Sequence, residues 1–484
     1  MLGPYEIEYE GRKYFGNVSL REFHKFGRNG SVYLFVVEKM AAQKISESTS
    51  LVIEKVSSSS GGLIPEALVE ELRKLDLLDE DDGDMSVKTA MDAGDSGGKE
   101  KKTEVAVRSI ALFVAQECNM RCVYCYGEGG EYAAKGMMSD ETAFRAVDWL
   151  MDNSKSLEKV NISFFGGEPL LNFPLVKKVV EYAKAKASEG NKEITFGITT
   201  NASLLTDEII GFIRDEKIYP LVSFDGPPAI QNRQRPFKDG SGSYDAVYGN
   251  IQKLLEVSPK LLARGTVYGD TDPCEIKEGM KRAGLKACYV IKASPVILAG
   301  ENGKAAKSAA DEEISSRMTA FQEKEFDIFL KSVKERRMEM NRAGHMLRPI
   351  ITGEKRYFGC GIGRGMVGIS ISGDIYPCHR FAGQDDAKMG NIADYKAEGP
   401  NDYHRSIVNN LPKCSVCWAK YFCGGGCFYD NKSRTGDMHI PDILYCDEMK
   451  RGMETAIYLS TRLDEGDKEY IIKTCNDLMD DKLP

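Results

Sequence analysis

The sequence predicts an α/β protein built on a partial (β/α)6 barrel, with a winged-helix-like α+β module before it and a cysteine-rich domain after it. Three observations carry this reading. Short apolar runs alternate with helical patterns six times in the middle of the chain, as a parallel sheet requires. An acidic, glycine-rich stretch separates that middle from the N-terminal residues. Thirteen cysteines gather mostly in two clusters, one at the start of the barrel pattern and one beyond its end. The 484 residues suffice for about three domains of roughly 150 residues. The boundaries fall at 1–78 for the module, 79–104 for a linker, 105–310 for the barrel, 311–345 for a bridging helix and 346–484 for the cysteine-rich domain.

The module shows a β-rich stretch at Val32–Val37 and a Ser-rich turn at Ser57–Gly62. Pro65 then opens a helix whose Leu68, Leu72 and Leu75 recur at the spacing of one buried face. The run Asp79-Glu80-Asp81-Asp82-Gly83-Asp84 and the glycines that follow are too polar to bury a face and predict a mobile, solvated linker. The barrel strands are expected at 110–114, 162–165, 194–198, 221–224, 263–267 and 289–291, with helices at 139–153, 174–187, 206–215, 244–257 and 275–283. Ile314, Met318, Phe321, Phe329 and Val333 mark the long bridging helix. Turns and short strands follow, and the last forty residues are helical.

Sixty-five basic against 73 acidic residues leave a net charge of −8. No global positive field attracts phosphate backbones, which argues against nucleic acid as a general partner. No apolar run approaches the roughly 20 residues that span a bilayer, and no targeting segment is recognisable at Met1–Glu6. A soluble cytoplasmic protein is expected, in which thiols stay reduced and soft-metal chemistry becomes the leading use of so many cysteines.

Cys118-Asn-Met-Arg-Cys122-Val-Tyr-Cys125 spaces three thiols as C-x3-C-x2-C directly after the first barrel strand. Barrel active sites lie at the carboxyl ends of the strands, and such a loop can wrap three thiolates around three irons of a cubane, leaving the fourth open. A structural zinc site would want a fourth Cys or His nearby. Gly166-Gly167-Glu168-Pro169 ends the second strand, Thr199-Thr200-Asn201 the third and Ser223-Phe224-Asp225-Gly226 the fourth, while Arg264 lies in the fifth.

In this spacing, with the aromatic Tyr124 before the last cysteine, the chain resembles the radical S-adenosylmethionine enzymes. The resemblance implies that Cys118, Cys122 and Cys125 hold a [4Fe–4S] cluster whose open iron chelates S-adenosylmethionine, which one electron cleaves to a 5′-deoxyadenosyl radical. It also implies that Tyr124, Gly166, Gly167, Glu168, Pro169, Thr199, Asn201, Ser223, Asp225 and Arg264 form the S-adenosylmethionine site. In that site Gly166–Pro169 contact the methionine amino group, short polar side chains meet the ribose, and Arg264 pairs with the carboxylate. Glu168 and Asp225 are the acidic groups expected nearest the cofactor. The catalytic acid or base is not identified.

The second cluster reads Cys360-x12-Gly373-x4-Cys378, a gap, Cys414-x2-Cys417-x5-Cys423-x3-Cys427, a gap, and Cys446. Seven ordered thiols hold about two iron–sulfur clusters, or one or two structural zinc ions. The order resembles the auxiliary-cluster SPASM domain of peptide-modifying radical enzymes. That resemblance implies three [4Fe–4S] clusters in all: Cys414, Cys417, Cys423 and Cys446 on the outer auxiliary cluster, and Cys360, Cys378 and Cys427 on the inner one. The inner set is one ligand short. Cys274, Cys288 or another residue completes it, or it stays open to substrate. The isolated Cys274, Cys288 and Cys475 otherwise read as small buried hydrophobes. His379 reads as structural or as a hydrogen-bond donor to a cluster sulfur, and Tyr376 and Tyr421 as packing.

Module, linker, barrel and two-cluster domain together resemble maturases of ribosomally made peptides, particularly those that form thioethers in cysteine-rich precursors. This implies a precursor peptide bound through residues 1–78 and an electron donor such as flavodoxin or ferredoxin. A sulfatase-maturing enzyme that generates formylglycine and a carbon–carbon peptide cyclase are the alternatives. A non-catalytic iron–sulfur electron carrier is a more distant one.

Overall fold

The computed structural model describes residues 5–9, 12–16, 19–58, 64–79, 106–295, 309–338, 342–397 and 401–480. Most of the expected linker and of the Ser-rich turn lies outside them. Asp79 is described, and its backbone N–H donates to the carbonyl of Ser19.

In the N-terminal region β1 (Tyr5–Tyr9), β2 (Arg12–Gly16) and the short β6 (Ile64–Pro65) form one antiparallel sheet. A second contains β3 (Phe23–Arg28), β4 (Ser31–Val36) and β5 (Ala41–Ile45). Helices α1 (Glu47–Ser58) and α2 (Glu66–Lys74) accompany them. The expected winged-helix-like unit is therefore two small sheets with two helices. Alternation along β4 explains its position in the molecule. Leu34 and Val36 face Ile53, Leu72 and Leu77 in a core of the module's own. Phe35, on the opposite face, joins Val37 and Met40 in a core with Trp418, Phe422, Met453 and Ile457 far along the chain.

His24 stacks on Trp418 with ring centroids 3.7 Å apart, and Glu22 pairs with Lys420. Burying a side chain such as Phe35 is worth about 1.5–3 kcal/mol. The module thus shares a core with the C-terminal domain in addition to the linker that precedes the barrel.

The barrel follows its apolar runs closely. Strands β7 (Ser109–Gln116), β9 (Lys159–Gly166), β10 (Glu193–Thr200), β11 (Tyr219–Ser223), β12 (Leu262–Val267) and β13 (Ala287–Lys292) are parallel. The two-residue β8 (Gly136–Met137) pairs antiparallel with β7. Helices α3 (Asp140–Asn153), α4 (Phe173–Glu189), α5 (Asp207–Asp215), α6 (Pro228–Gln234), α7 (Tyr244–Val257) and α8 (Pro273–Arg282) lie between the strands. Caps fix several starts: the Ser139 hydroxyl accepts from Thr142 N at 3.1 Å, Thr206 from Ile209 N at 3.3 Å and Asp272 from Cys274 N at 2.8 Å.

The sheet order is β13-β12-β11-β10-β9-β7-β14-β15-β16, so β13 ends it and the barrel stays partial. On the other side β14 (Met366–Ile369) pairs parallel with β7 and carries β15 (Asp374–Tyr376) and β16 (Gly390–Asn391). One continuous sheet therefore joins the barrel to the cysteine-rich domain. Gly373, at φ +80°, turns the chain between β14 and β15 and returns it toward Cys378.

The single bridging helix expected over 311–345 is two helices, α9 (Ala309–Lys334) and α10 (Arg342–Thr352). Arg336, at φ +55°, takes the left-handed conformation that stops the first. The predicted apolar face of α9 is buried, with Met318 at 2 % and Val333 at 0 % exposure. Beyond it α11 (Phe428–Thr435), α12 (Ile443–Ser460) and α13 (Glu465–Asp480) complete the domain. No described helix is long and apolar enough to cross a membrane.

Candidate functional site

The loop after β7 is held from several sides. Arg121 N donates to Pro236 O at 2.8 Å and Val123 N to Gln234 O at 3.0 Å, tying the loop backbone to the end of α6. Between Cys122 and Cys125, the Tyr124 hydroxyl donates to Asp225 Oδ2 at 2.6 Å. Asp225 is fully buried and also accepts from Gln234 Nε2 (2.8 Å) and Thr266 N (2.9 Å), and it pairs with Arg235 Nε at 3.1 Å. Burial alone would lower the Arg235 pKa, but Asp225, Tyr124 and Cys122 hold it above its usual range.

Burial, followed by the charge of Glu168, pushes the Cys118 thiol up to about 12, and burial pushes Cys122 up to about 11. The Met120 N–H lies 3.4 Å and Asn201 Nδ2 3.7 Å from Cys118 Sγ, and Arg235 Nη1 lies 4.0 Å from Cys122 Sγ. Half-buried thiols that are reluctant to ionise alone, with N–H donors already aimed at their sulfurs, fit a metal-bound thiolate set. Among the described residues no three His, Cys, Asp or Glu side chains meet as ligands of a single ion. The thiolates of an iron–sulfur cluster bind different irons, so their sulfurs need not converge on one point.

These thiols line an open cavity of about 910 Å³ at the carboxyl ends of the strands. Tyr124, Gly166, Gly167, Thr199, Asn201, Ser223 and Arg264 line the same cavity. The glycines are sterically required. A Cβ on Gly166 would lie 2.0 Å from Ala115 O, and one on Gly167 2.2 Å from Glu117 O, because β9 pairs alongside β7 there, past a register irregularity between Phe113 and Ala115. No carboxylate is recorded against the Arg264 guanidinium among the described residues. Burial, with Arg380 and Arg235 adding to it, lowers its pKa. A cation in those surroundings suits an incoming carboxylate.

Glu168, Pro169 and Asp225 are buried behind the cavity-lining residues rather than among them. Glu168 is fully buried, and its carboxylate accepts from Asn201 N (2.7 Å), Thr200 Oγ1 (2.8 Å) and Leu170 N (3.1 Å). It fastens the end of β9 to the end of β10. Pro169 starts a short 3-10 turn. Three cationic residues of the cavity were not read from the sequence: Arg235, Arg380 and Lys292. Arg380 follows Cys378 by two positions, a signal that was available; Arg235 carries none.

The second cysteine cluster divides spatially. Cys414, Cys417 and Cys423 raise the Cys446 thiol, after burial, to about 12. Burial also raises Cys378 to about 12, with Cys427 and Cys360 adding to it. Arg380 joins this second group to the cavity: its Nη1 lies 3.7 Å from Cys427 Sγ, 3.0 Å from Asp430 Oδ1 and 2.7 Å from Ser294 Oγ. Neither leftover thiol expected as a fourth ligand adjoins this group. Cys274 sits at the start of α8 beside Lys324, and Cys288 lines another cavity. Cys475 is buried in the C-terminal core. His379 packs its ring 4.6 Å from Phe165, and burial lowers its pKa to about 3, so it is neutral. Tyr376 and Tyr421 are buried packing residues.

Comparison with known proteins agrees with this geometry. Residues 112–283 match the radical SAM superfamily. The radical SAM cyclopropyl synthase TigE of Paramaledivibacter caminithermalis is 26% identical over 35% of this chain and 37% of its own. The serine-type anaerobic sulfatase-maturating enzyme of Bacteroides thetaiotaomicron is 25% identical over 67% of this chain and 83% of its own. The chain therefore spans less than half the length of TigE. The structure of native anSMEcpe with bound AdoMet and Cp18Cys peptide superposes with a TM-score of 0.61 at 20% identity, over 76% of this chain and 99% of that one, a shared fold.

Proposed function

We propose that the chain is a peptide maturase that uses S-adenosylmethionine to form an intramolecular cysteine thioether in a precursor peptide. Cys118, Cys122 and Cys125 would hold a [4Fe–4S] cluster, which when bound supplies the electron that cleaves S-adenosylmethionine to a 5′-deoxyadenosyl radical. Arg264 takes the methionine carboxylate in two-point geometry. The glycine backbone at Gly166 and Gly167 allows close approach, and Thr199, Asn201 and Ser223 offer hydrogen bonds to the ribose. Glu168 and Asp225 act as positioning residues, one locking strand ends together and the other holding Tyr124 and Arg235. Cys360, Cys378 and Cys427 would hold an inner auxiliary cluster, and Cys414, Cys417, Cys423 and Cys446 an outer one. The electron donor would be a flavodoxin or ferredoxin.

The observation that carries the thioether reading is the three-thiol group Cys360, Cys378 and Cys427, joined to the cavity by Arg380. An incomplete ligand set beside the reacting space suits capture of a peptide thiolate, which fixes the two reacting groups together. In the overall change one C–H and one S–H bond of the peptide break and one C–S bond forms; one hydrogen would leave in 5′-deoxyadenosine and the other as a proton, with S-adenosylmethionine, cleaved to methionine and 5′-deoxyadenosine, as the two-electron oxidant. Mass spectrometry of a cysteine-rich candidate precursor after turnover should show two hydrogens lost per bridge, with the donor cysteine no longer alkylatable. A two-hydrogen loss with every cysteine still alkylatable would indicate a carbon–carbon crosslink.

Similarity to the sulfatase-maturating enzyme over 83% of its length supports a second reading, formylglycine formation. Its product would carry an aldehyde that reacts with a hydrazine, and a thioether would not.

A further inference from the structure

A second cavity, of about 540 Å³, sits at the free edge of the central sheet between β13, α9 and α10. Cys288 and Val290 reach it from one face of β13 and Tyr289 and Ile291 from the other, so the strand's edge itself borders the space. Among the described residues the only ladder partner of β13 is β12. Met318, Phe321, Phe326 and Met346 give the cavity apolar walls.

Arg342, the Lys277–Glu325 pair and Gln322 interrupt those walls. Lys277 and Glu325 pair at 3.3 Å, and Lys277 Nζ also donates to Cys288 O at 3.0 Å, so this charge is answered from within. Gln322 is 6 % exposed, and its Nε2 has no hydrogen-bond partner in the structure. A buried amide donor without a protein partner is costly, and a ligand carbonyl would relieve it.

We propose that this cavity is a substrate subsite that takes an apolar side chain of the peptide undergoing modification, with the Gln322 amide donating to a peptide carbonyl beside it. The proposal rests on the peptide-maturase reading. Ile291 lines both this cavity and the cysteine-lined one, so a chain passing along β13 reaches the two in succession. An extended peptide at a strand edge presents alternate side chains to such pockets. Lys277 is neutralised internally, and the mainly apolar lining favours an uncharged side chain.

The test uses the full-length reconstituted protein, N-acetylphenylalanine methylamide as probe, and N-acetylserine methylamide as control. Alkylation of Cys288, followed by mass spectrometry of the peptide containing it, reports occupancy. The phenylalanine probe should slow this labelling saturably, about tenfold at ten times its Kd, and the serine probe should not. Gln322→Leu should raise the Kd by about 3–10-fold. Ala343→Phe, which fills the cavity, should abolish protection while its melting temperature shows that it folds. Equal protection by both probes, or undiminished protection in Ala343→Phe, overturns the subsite. S-adenosylmethionine cleavage by the wild-type sample is read in parallel. Cleavage without protection overturns the subsite alone; saturable protection without cleavage overturns its role in peptide modification.

Discussion

Replacing Asp225 by Ala tests how the cysteine loop is held. The carboxylate is fully buried and receives the Tyr124 hydroxyl, the Gln234 amide and the Thr266 backbone N–H, with Arg235 paired at 3.1 Å. Arg235 is itself 6 % exposed. Removing the carboxylate leaves a buried cation without its partner, a loss of about 3–5 kcal/mol. For a domain of the barrel's size each kcal/mol moves the melting temperature by about 2–4 °C, so Asp225→Ala should melt about 6–20 °C lower. Asp225→Asn retains an acceptor for Tyr124 and Gln234 and gives up the charge and the Thr266 bond, so its cost is smaller, about 1–3 kcal/mol. Scanning calorimetry of the metal-free chain measures both. A shift below about 2 °C for the alanine variant, or a larger shift for Asn than for Ala, would refute the argument that Asp225 bears the load.

Arg264→Ala should weaken S-adenosylmethionine binding about 10–100-fold by equilibrium dialysis, with Arg264→Lys between it and wild type; unchanged affinity would remove Arg264 from the carboxylate site. Burial pushes the Glu168 carboxyl up to about 7, against hydrogen bonds from Asn201, Thr200 and Leu170 that lower it. Because this lies above its ordinary value of 4.5, its contribution is complete below that pH and is lost as pH rises through 7, about 3 kcal/mol in all. Urea unfolding at pH 5 and pH 8 should therefore show a wild-type loss of stability that Glu168→Gln lacks, and parallel losses would contradict it. Phe35→Ala should cost about 3–5 kcal/mol and deprotect amides of α12 in hydrogen exchange, since Phe35 shares a core with Met453 and Ile457. Metal analysis of the anaerobically reconstituted chain should give about twelve irons, and near four irons with stoichiometric zinc would reassign the C-terminal thiols.

The barrel was legible because parallel strands buried on both faces read as continuous apolar runs, as Ile110–Ala115 does. The cavity's glycines were legible by position, and the reason for them appeared only in the close backbone approach of β9 to Ala115 and Glu117 at the end of β7. The roles of Glu168 and Asp225 were not legible, because sequence position at a strand end does not say whether a side chain points into the cavity or beneath it. The integration of the N-terminal module was hidden for a related reason. The alternation of β4 announces two buried faces, but only the folded chain says that one of them meets Trp418 and α12. Arg235 is brought to Asp225 and Cys122 by the turn of α6, a contact across more than one hundred residues for Cys122 that no local pattern encodes.

The central claim, that the cavity-lining thiols Cys118, Cys122 and Cys125 support reductive cleavage of S-adenosylmethionine, is tested most directly by measuring 5′-deoxyadenosine. The reconstituted wild-type protein with dithionite should produce it, and the triple variant Cys118→Ala, Cys122→Ala, Cys125→Ala should produce none while keeping the iron bound by the C-terminal cysteines. Undiminished 5′-deoxyadenosine from the triple variant, or none from a wild-type protein carrying its full complement of iron, would contradict the account.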